Sequence, residues 1–373
     1  MSIPTSIGFP RMLEEDGERR VFLPKFIRWL AKTGVEICLE KGYGEKLGLD
    51  ITDYRLDKTK IFAGSRTESF QQDIVMILRS PKLKEFMLLK RGATLISMLH
   101  FNTRPKRVQR LNELGINAIS LDGIANATGI RLVQNMKAVA WNGLEIAFDI
   151  LEKQWSNLRK PDNEPFRVLI LGAGMVGKHA VEAASKFGLR ARNAQLIKAG
   201  NAGVIVSTIG RNITSNPQIM KKLFEQADIL VDATQRHDSS KAIVPNAWLA
   251  WLPKHAVIVD LSVDPYTLDV DPPVVRAIEG IPQGNLDQYV FYPDDPNWNM
   301  KIPAKIHSDL RSTSVSCYSW PGIHPQMCMQ HYARQLYPLM GVLLEKGYQN
   351  LSLKGGYFEQ ALIRGSLRAF FAG

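Results

Sequence analysis

Three stretches of this sequence carry residue types whose spacing suits chemistry. The first, Gly172-Ala173-Gly174-Met175-Val176-Gly177, has the G-x-G-x-x-G spacing of a turn that lets backbone approach a pyrophosphate. Its first glycine permits the tight turn, Gly174 clears the approach, and Gly177 allows helix to pack closely on strand. The backbone N–H groups of Met175, Val176 and Gly177 at the helix start then face the phosphates. The second, Leu95-Ile96-Ser97-Met98-Leu99-His100-Phe101, is an apolar run ending in histidine, a side chain that moves protons near neutral pH. The third, Gly17-Glu18-Arg19-Arg20-Val21, places arginines just before a helix start, where Arg20 can clamp a carboxylate through two donors. Each also has a plainer reading: a structural turn, a core histidine and a solvated charge pair. Together they suit hydride chemistry on an amino or oxo acid, which needs a cation on the carboxylate and a proton carrier at the carbonyl or imine.

These groups must be held by regular elements, and the apolar pattern supplies them. Short strands at Ser6 to Phe9, Glu36 to Glu40, Asp73 to Leu78, Ala93 to Met98 and Asn117 to Leu121 alternate with helical stretches such as Pro24 to Thr33. Asn135 to Trp155 reads as a long connecting helix, and the polar stretch Ser156 to Pro165 as a linker. Phe166 to Leu171 then runs into the glycine turn, followed by a helix at Val176 to Lys186 and strands at Val204 to Ile209, Ile229 to Ala233 and Ala256 to Leu261. Helices at Met327 to Glu345 and Gly356 to Phe371 close the chain. The expectation is an α/β fold of two Rossmann-like domains with doubly wound parallel sheets and a cleft between them. Residues 1–134, completed by 303–373, form a substrate domain, 135–160 connect, and 161–302 bind the dinucleotide. Strand Val204 to Ile209 ends in Gly210-Arg211-Asn212 without the acid that selects a free ribose 2′-hydroxyl, and Arg211 can pair with a 2′-phosphate. This favours NADP over NAD, although the interval from the turn to that strand is longer than usual.

Several of these motifs together resemble the alanine dehydrogenase family. Its N-terminal fold is shared with the hydride-transfer subunit of proton-translocating transhydrogenase and, more remotely, with saccharopine dehydrogenases. The resemblance rests on Ile7-Gly8-Phe9-Pro10 with Glu18-Arg19-Arg20-Val21, on Ile77-Leu78-Arg79-Ser80-Pro81, on Leu99-His100, on the glycine turn, and on Ile258-Val259-Asp260-Leu261-Ser262-Val263-Asp264. It implies that Arg20 holds the substrate carboxylate, that His100 is the catalytic histidine, that Asp264 lies beside the nicotinamide, and that the chain forms a homo-oligomer. Where the family has a catalytic lysine in a Lys-x-Pro context, this chain has Arg79. A guanidinium holds a carboxylate or polarises an oxygen but does not act as a neutral base. Cys317-Tyr318-Ser319-Trp320-Pro321-Gly322-Ile323-His324-Pro325 departs from the family pattern too, as a differently shaped pocket or as a structured loop.

Composition narrows the classes. The net charge of +11 is spread over scattered Lys and Arg, with no basic run or aromatic RNA-binding pattern, so nucleic acid is not expected as a partner. No apolar run is long enough for a membrane span, and Met1-Ser2-Ile3-Pro4 lacks an export pattern, which gives a cytoplasmic expectation. Cys38, Cys317 and Cys328 have no metal or disulfide spacing, and no metal is expected. The leading expectation is an NAD(P)-dependent oxidoreductase of an amino acid or its 2-oxo or imine counterpart, using His100, Asp264, Arg79 and Arg20. The alternatives are opine- or saccharopine-type reductive condensation, and a dinucleotide-binding module without catalysis.

Overall fold

The computed structural model describes residues 4–372; Met1 to Ile3, part of the segment inspected for an export pattern, and Gly373 lie outside the described residues. The chain divides into two compact units, Met1–Asn135 with His324–Gly373, and Met136–Ile323.

The first unit is built on strands β1 (Ser6–Phe9), β2 (Glu36–Glu40), β3 (Ile61–Gly64), β4 (Ile74–Arg79), β5 (Thr94–Met98) and β6 (Asn117–Ser120). They pair in the order β3-β2-β1-β4-β5-β6, every pair parallel. Side chains alternate across a strand, so Ile74, Met76 and Leu78 enter one core while Val75 and Ile77 enter another on the opposite face. Helix Pro24–Ala31 starts on its proline, whose missing N–H costs nothing at that position, and buries Phe26, Ile27, Leu30 and Ala31. Helices Pro325–Lys346 and Tyr357–Arg364 supply Met329, Leu336, Leu343 and Leu362 to that same core. The single helix expected at Gly356 to Phe371 is interrupted: Leu367–Ala372 is separate, and at the break Ile119 and Ser366 form an antiparallel bridge beside β6.

The second unit contains β7 (Phe166–Leu171), β8 (Val204–Ile209), β9 (Ile229–Asp232), β10 (Val257–Asp260), β11 (Val290–Phe291) and β12 (Thr313–Ser316), in the order β11-β12-β10-β9-β7-β8. Both faces are again buried, Val168, Ile170 and Val231 on one side and Leu169, Leu171 and Leu230 on the other. That is why these strands read as continuous apolar runs.

Three expectations need correction. The second sheet is not wholly parallel, because β11 runs antiparallel to β12. The return to the first unit falls at His324 and not at 303, because Thr313–Ser316 is a strand of the second sheet paired with β10. The helix Met136–Gln154 belongs to the second unit, where Gly188 lets the chain pass within a Cβ's reach of the Glu145 backbone. The long interval expected after the glycine turn holds a further helix, Arg190–Lys198, with no strand between it and helix Met175–Ala184. The strand that follows, β8, pairs directly with β7, Phe166 opposite Val204 and Leu171 opposite Ile209.

Candidate functional site

The glycine turn leaves β7 and enters helix Met175–Ala184, and its three glycines meet different surroundings. Gly172 has φ +99°, and a Cβ there would lie 2.6 Å from the Ala233 carbonyl oxygen. A Cβ on Gly177 would sit 2.1 Å from the Gly172 oxygen. A side chain at either position would press on the chain's own backbone and strain the turn. A Cβ on Gly174 would meet nothing within 4 Å. The fold therefore does not require glycine at Gly174. Gly174 also borders a cavity of about 590 Å³ that extends past Gly210 and Arg211 at the end of β8 and past Thr234 and Arg236 after β9. A turn of bare backbone, a helix N-terminus and an adjoining cavity are what a dinucleotide pyrophosphate needs, so the residues present fit that group. At the end of β8 stands no carboxylate. Arg211 is exposed, and its side chain forms no hydrogen bond or ion pair among the described residues.

Asp264 lies in this same unit, just beyond β10, after Val263, which has φ +56°. Its carboxylate pairs at 2.5 Å with Arg236, whose side chain is only 4% exposed and also donates to the Ser239, Lys241 and Val275 carbonyls. Asp232, at the end of β9, is buried and accepts from the Thr234 N–H and from the Thr234 and Ser262 hydroxyls. Burial, followed by the neighbouring Asp264 charge, raises its pKa against the effect of those donors. Asp260, at the end of β10, pairs with buried Arg276 and accepts from the N–H groups of Ser262 and Val263. Arg236, Asp232 and Arg276 had not been singled out in the sequence. A run of acids at successive strand ends, Asp232 and Asp260, was the available signal.

In the first unit Arg20 follows β1 in the loop that leads to helix Pro24–Ala31. It is buried, and Glu18 takes its fork: Nε to Oε1 at 2.9 Å and Nη2 to Oε2 at 2.5 Å. The Arg20 N–H donates to Glu18 as well. Burial opposes the Glu18 charge, but these bonds and Arg79 hold its pKa below the ordinary value. Arg79, ending β4, pairs with buried Glu15 and lies 3.6 Å from Glu18. The plainer alternative of a solvated charge pair does not form here: Arg20, Glu18 and Glu15 are buried and joined to the half-buried Arg79. Burial pushes the nearby Cys328 thiol up to about 11, so it stays protonated.

His100 follows β5 with φ 51° and a half-exposed side chain. Its Nδ1 lies 3.2 Å from Asp122 Oδ2, and its backbone N–H donates to Asp122 Oδ1 at 3.2 Å. The Ser120 hydroxyl donates to the same carboxylate at 2.7 Å. Burial works against the Asp122 charge, yet His100 and Ser120 hold its pKa well below the usual range. With Nδ1–H turned to Asp122, Nε2 is the atom placed to give or take a proton. Asp122 was absent from the sequence reading; the β5–β6 ladder, which sets Ser97 opposite Ser120, makes it a neighbour. The structure thus joins Arg20 with Arg79, His100 with Asp122, and Asp264 with Arg236. It also places His100 and Arg79 at the C-terminal ends of adjacent strands. Among the described residues no group of His, Cys, Asp and Glu is arranged to hold a metal, and no helix is long and apolar enough to cross a membrane.

Comparison with known proteins agrees with this layout. Residues 10–140 match the model for the alanine dehydrogenase/PNT N-terminal domain, and residues 160–265 that for the alanine dehydrogenase/PNT C-terminal domain. An alanine dehydrogenase of Bacillus subtilis is 24% identical over 69% of this chain and 70% of its own length. An NAD(P) transhydrogenase subunit alpha of Haemophilus influenzae is 25% identical over 49% of this chain and 36% of its own length. Among solved structures, an L-alanine dehydrogenase superposes with a TM-score of 0.71 over 97% of this chain and 94% of that one, at 20% identity.

Proposed function

This chain belongs to the alanine dehydrogenase/PNT family, and from that premise we propose that it is a nicotinamide-dinucleotide-dependent oxidoreductase acting on an amino acid and its 2-oxo or imine counterpart. The observation that carries the reading is Gly174, a glycine the fold does not need at the rim of a cavity a dinucleotide fits. When bound, the dinucleotide supplies or accepts a hydride. The N–H groups of Met175, Val176 and Gly177 hold its pyrophosphate at the helix start, with Gly172 shaping the turn. Arg211, at a strand end without a carboxylate, pairs with a ribose 2′-phosphate and favours NADP over NAD. Asp264, held by Arg236 in the second unit, is the acid that the family resemblance sets beside the nicotinamide.

His100 is the general acid and base. Asp122 fixes its tautomer and stabilises the imidazolium, leaving Nε2 to exchange the proton with the substrate oxygen or nitrogen. Arg20 and Arg79 orient the substrate carboxylate, but Glu18 and Glu15 already balance their charge. A substrate bearing both an ammonium and a carboxylate suits that set, since the glutamates take the first and the arginines the second. This arrangement supports an amino acid over a plain hydroxy acid, and it also admits condensation of an amino acid with a 2-oxo acid, our second reading. Arg79 cannot serve as a neutral base, which puts all the proton movement in this unit on His100.

The test is a screen of 2-oxo acids with NADPH and NADH, first with ammonium and then with amino acids, following the reduced cofactor by absorbance. Turnover with ammonium supports the dehydrogenase, and turnover only with amino acids supports condensation. Tight dinucleotide binding without turnover in either set would leave a binding module. Failure of both dinucleotides to bind at millimolar concentration would overturn the proposal as a whole.

A further inference from the structure

Several cations of the first unit are matched by an acid: Lys60 pairs with Glu36, Lys90 with Asp73, and Arg66 with Glu40 and Glu85. One helix departs from this. Lys25, Arg28 and Lys32, on helix Pro24–Ala31 and the residue that ends it, are spaced to share one stripe, and no ion pair reaches any of them among the described residues. Like charges three and four positions apart on a helix repel. Lys25 also stands in the first turn, where the positive end of the helix dipole disfavours it and no acid accompanies it. The helix itself gains nothing from these neighbours, whereas an anion brought from outside relieves them.

The stripe borders a cavity of about 640 Å³ whose other walls are Trp29, Leu56 and Tyr337. All of these residues belong to the first unit, and none takes part in the Arg20–Arg79 or His100–Asp122 groups. Trp29 is half-buried. Fully buried Phe26 stacks on it at 20°, and Tyr337 of helix Pro325–Lys346 meets it edge-on at 79° with ring centroids 4.9 Å apart. The indole is therefore fixed by packing while part of it lines the cavity. Arg28 is fixed as well, because its Nη2 donates to the Asp53 carbonyl, yet its Nε is buried without a hydrogen-bond partner. The Asp53 carboxylate accepts from the Asp50 N–H and forms no ion pair with Arg28. Among the described residues the Tyr337 hydroxyl also has no hydrogen-bond partner, and burial raises its pKa, so it is available as a donor.

We propose that this cavity binds a free mononucleotide, with its base on Trp29 and its phosphates among Lys25, Arg28 and Lys32. A base presents the flat face that stacks on an indole, and phosphate is the anion that an arginine fork and lysines take together. The helical rise sets the Cα atoms of Lys25 and Lys32 about 10 Å apart with Trp29 between them, so the cations flank the ring and suit a chain of phosphates better than one carboxylate. The cavity also falls within the roughly 300–1,000 Å³ of small-molecule sites. No lining residue is acidic, so nothing on the walls repels the ligand. This proposal depends neither on the reaction assigned above nor on the glycine turn.

The test is photolabelling of the full chain with 8-azido-ADP, the labelled peptides being located by mass spectrometry. Label is expected on segments carrying Trp29 or Tyr337. Excess ADP should remove it, and the same concentration of adenosine or of inorganic pyrophosphate should do so less well, because base and phosphates both contribute. K25E/K32E changes two exposed side chains and is expected to weaken ADP binding at these segments by about tenfold or more, with dinucleotide binding to the second unit unchanged. Trp29→Leu should weaken ADP binding and leave pyrophosphate binding as it was; if that variant does not fold, K25E/K32E decides. Label confined to the glycine turn, or K25E/K32E labelled at Trp29 and Tyr337 as strongly as wild type, would overturn the proposal. So would a short oligonucleotide that competes better than ADP, which assigns the cavity to a nucleic-acid strand, or a particle mass altered in K25E/K32E, which makes the stripe a contact between copies.

Discussion

The two sheets of this protein use the same position in opposite ways. In the first unit the segment after the first strand, between β1 and helix Pro24–Ala31, carries Glu15, Glu18 and Arg20, a set of buried charged side chains. In the second unit the corresponding segment, between β7 and helix Met175–Ala184, is Gly172-Ala173-Gly174 and carries bare backbone. Strand completeness is reversed. The first sheet has the full β3-β2-β1-β4-β5-β6 order of a dinucleotide-binding fold but no glycine turn, whereas the second has the glycine turn and only one strand, β8, on that side of β7. Strand order and the character of the loop after the first strand are therefore separable: the same position carries buried charges in one sheet and bare backbone in the other.

The largest expected break in this comparison is at the proton carrier. His100→Ala should lower kcat by about 10²–10⁴-fold while leaving dinucleotide affinity unchanged, because it touches only the charged-side-chain unit; stopped-flow turnover and a cofactor titration check both halves. Next comes the buried network. Glu18→Ala leaves Arg20 buried without its fork partner and should cost about 3–5 kcal/mol in urea unfolding, since breaking one side of a buried pair exceeds the worth of the pair. On the backbone side, Gly174→Ala should weaken dinucleotide binding by roughly tenfold, about 1.4 kcal/mol, with an unchanged melting temperature. Gly177→Ala should lower both, because its Cβ meets the Gly172 carbonyl. If Gly174→Ala binds normally, the backbone reading of that turn is wrong.

A smaller effect separates the units by acid. Glu18, Asp73 and Asp122 in the first unit all have folded pKa values below their ordinary ones; for Asp73 burial opposes the shift, but Lys90 and Thr5 bring it down to about 2. Depressed carboxylates contribute stability that is present above about pH 4 and is lost as pH falls through the folded values. In the second unit Asp228 is likewise depressed, yet buried Asp232 is raised, and protonating it on acidification favours the fold. Amide exchange between pH 5 and pH 3 should therefore accelerate in the first unit before the second, and Asp73→Asn should remove part of that difference.

How much of this could be read in the sequence follows from where the information lies. Residues 168–171 and 74–78 were legible because strands buried on both faces are unbroken apolar runs. Ile61–Gly64 was not, because its middle residues Phe62 and Ala63 are exposed and it ends in glycine. Thr313–Ser316 hid for the opposite reason: its serines are buried, so no apolar run marks it. Gly172, Gly174 and Gly177 were visible as a spacing, but only the surroundings of each Cβ separate the two that shape the chain from the one that faces the cavity. Asp122 and the Glu15–Arg79 pair depend on which strands lie side by side and on how a loop folds back, and neither is a property of local sequence.

The discontinuity of the first unit also bears on the order in which the molecule is made. Residues 136–323 are contiguous and contain every strand of the second sheet, so that unit can complete as soon as it emerges from the ribosome. The first unit is translated earlier, yet Met329, Leu336 and Leu362 of its core and the Gly365 carbonyl that closes β6 arrive last. Its sheet, already complete in strands, must therefore wait through the synthesis of a whole second unit with part of an apolar face uncovered. Of the two halves, the one begun first is the one finished last, and it is where a nascent chain of this protein has most need of a chaperone.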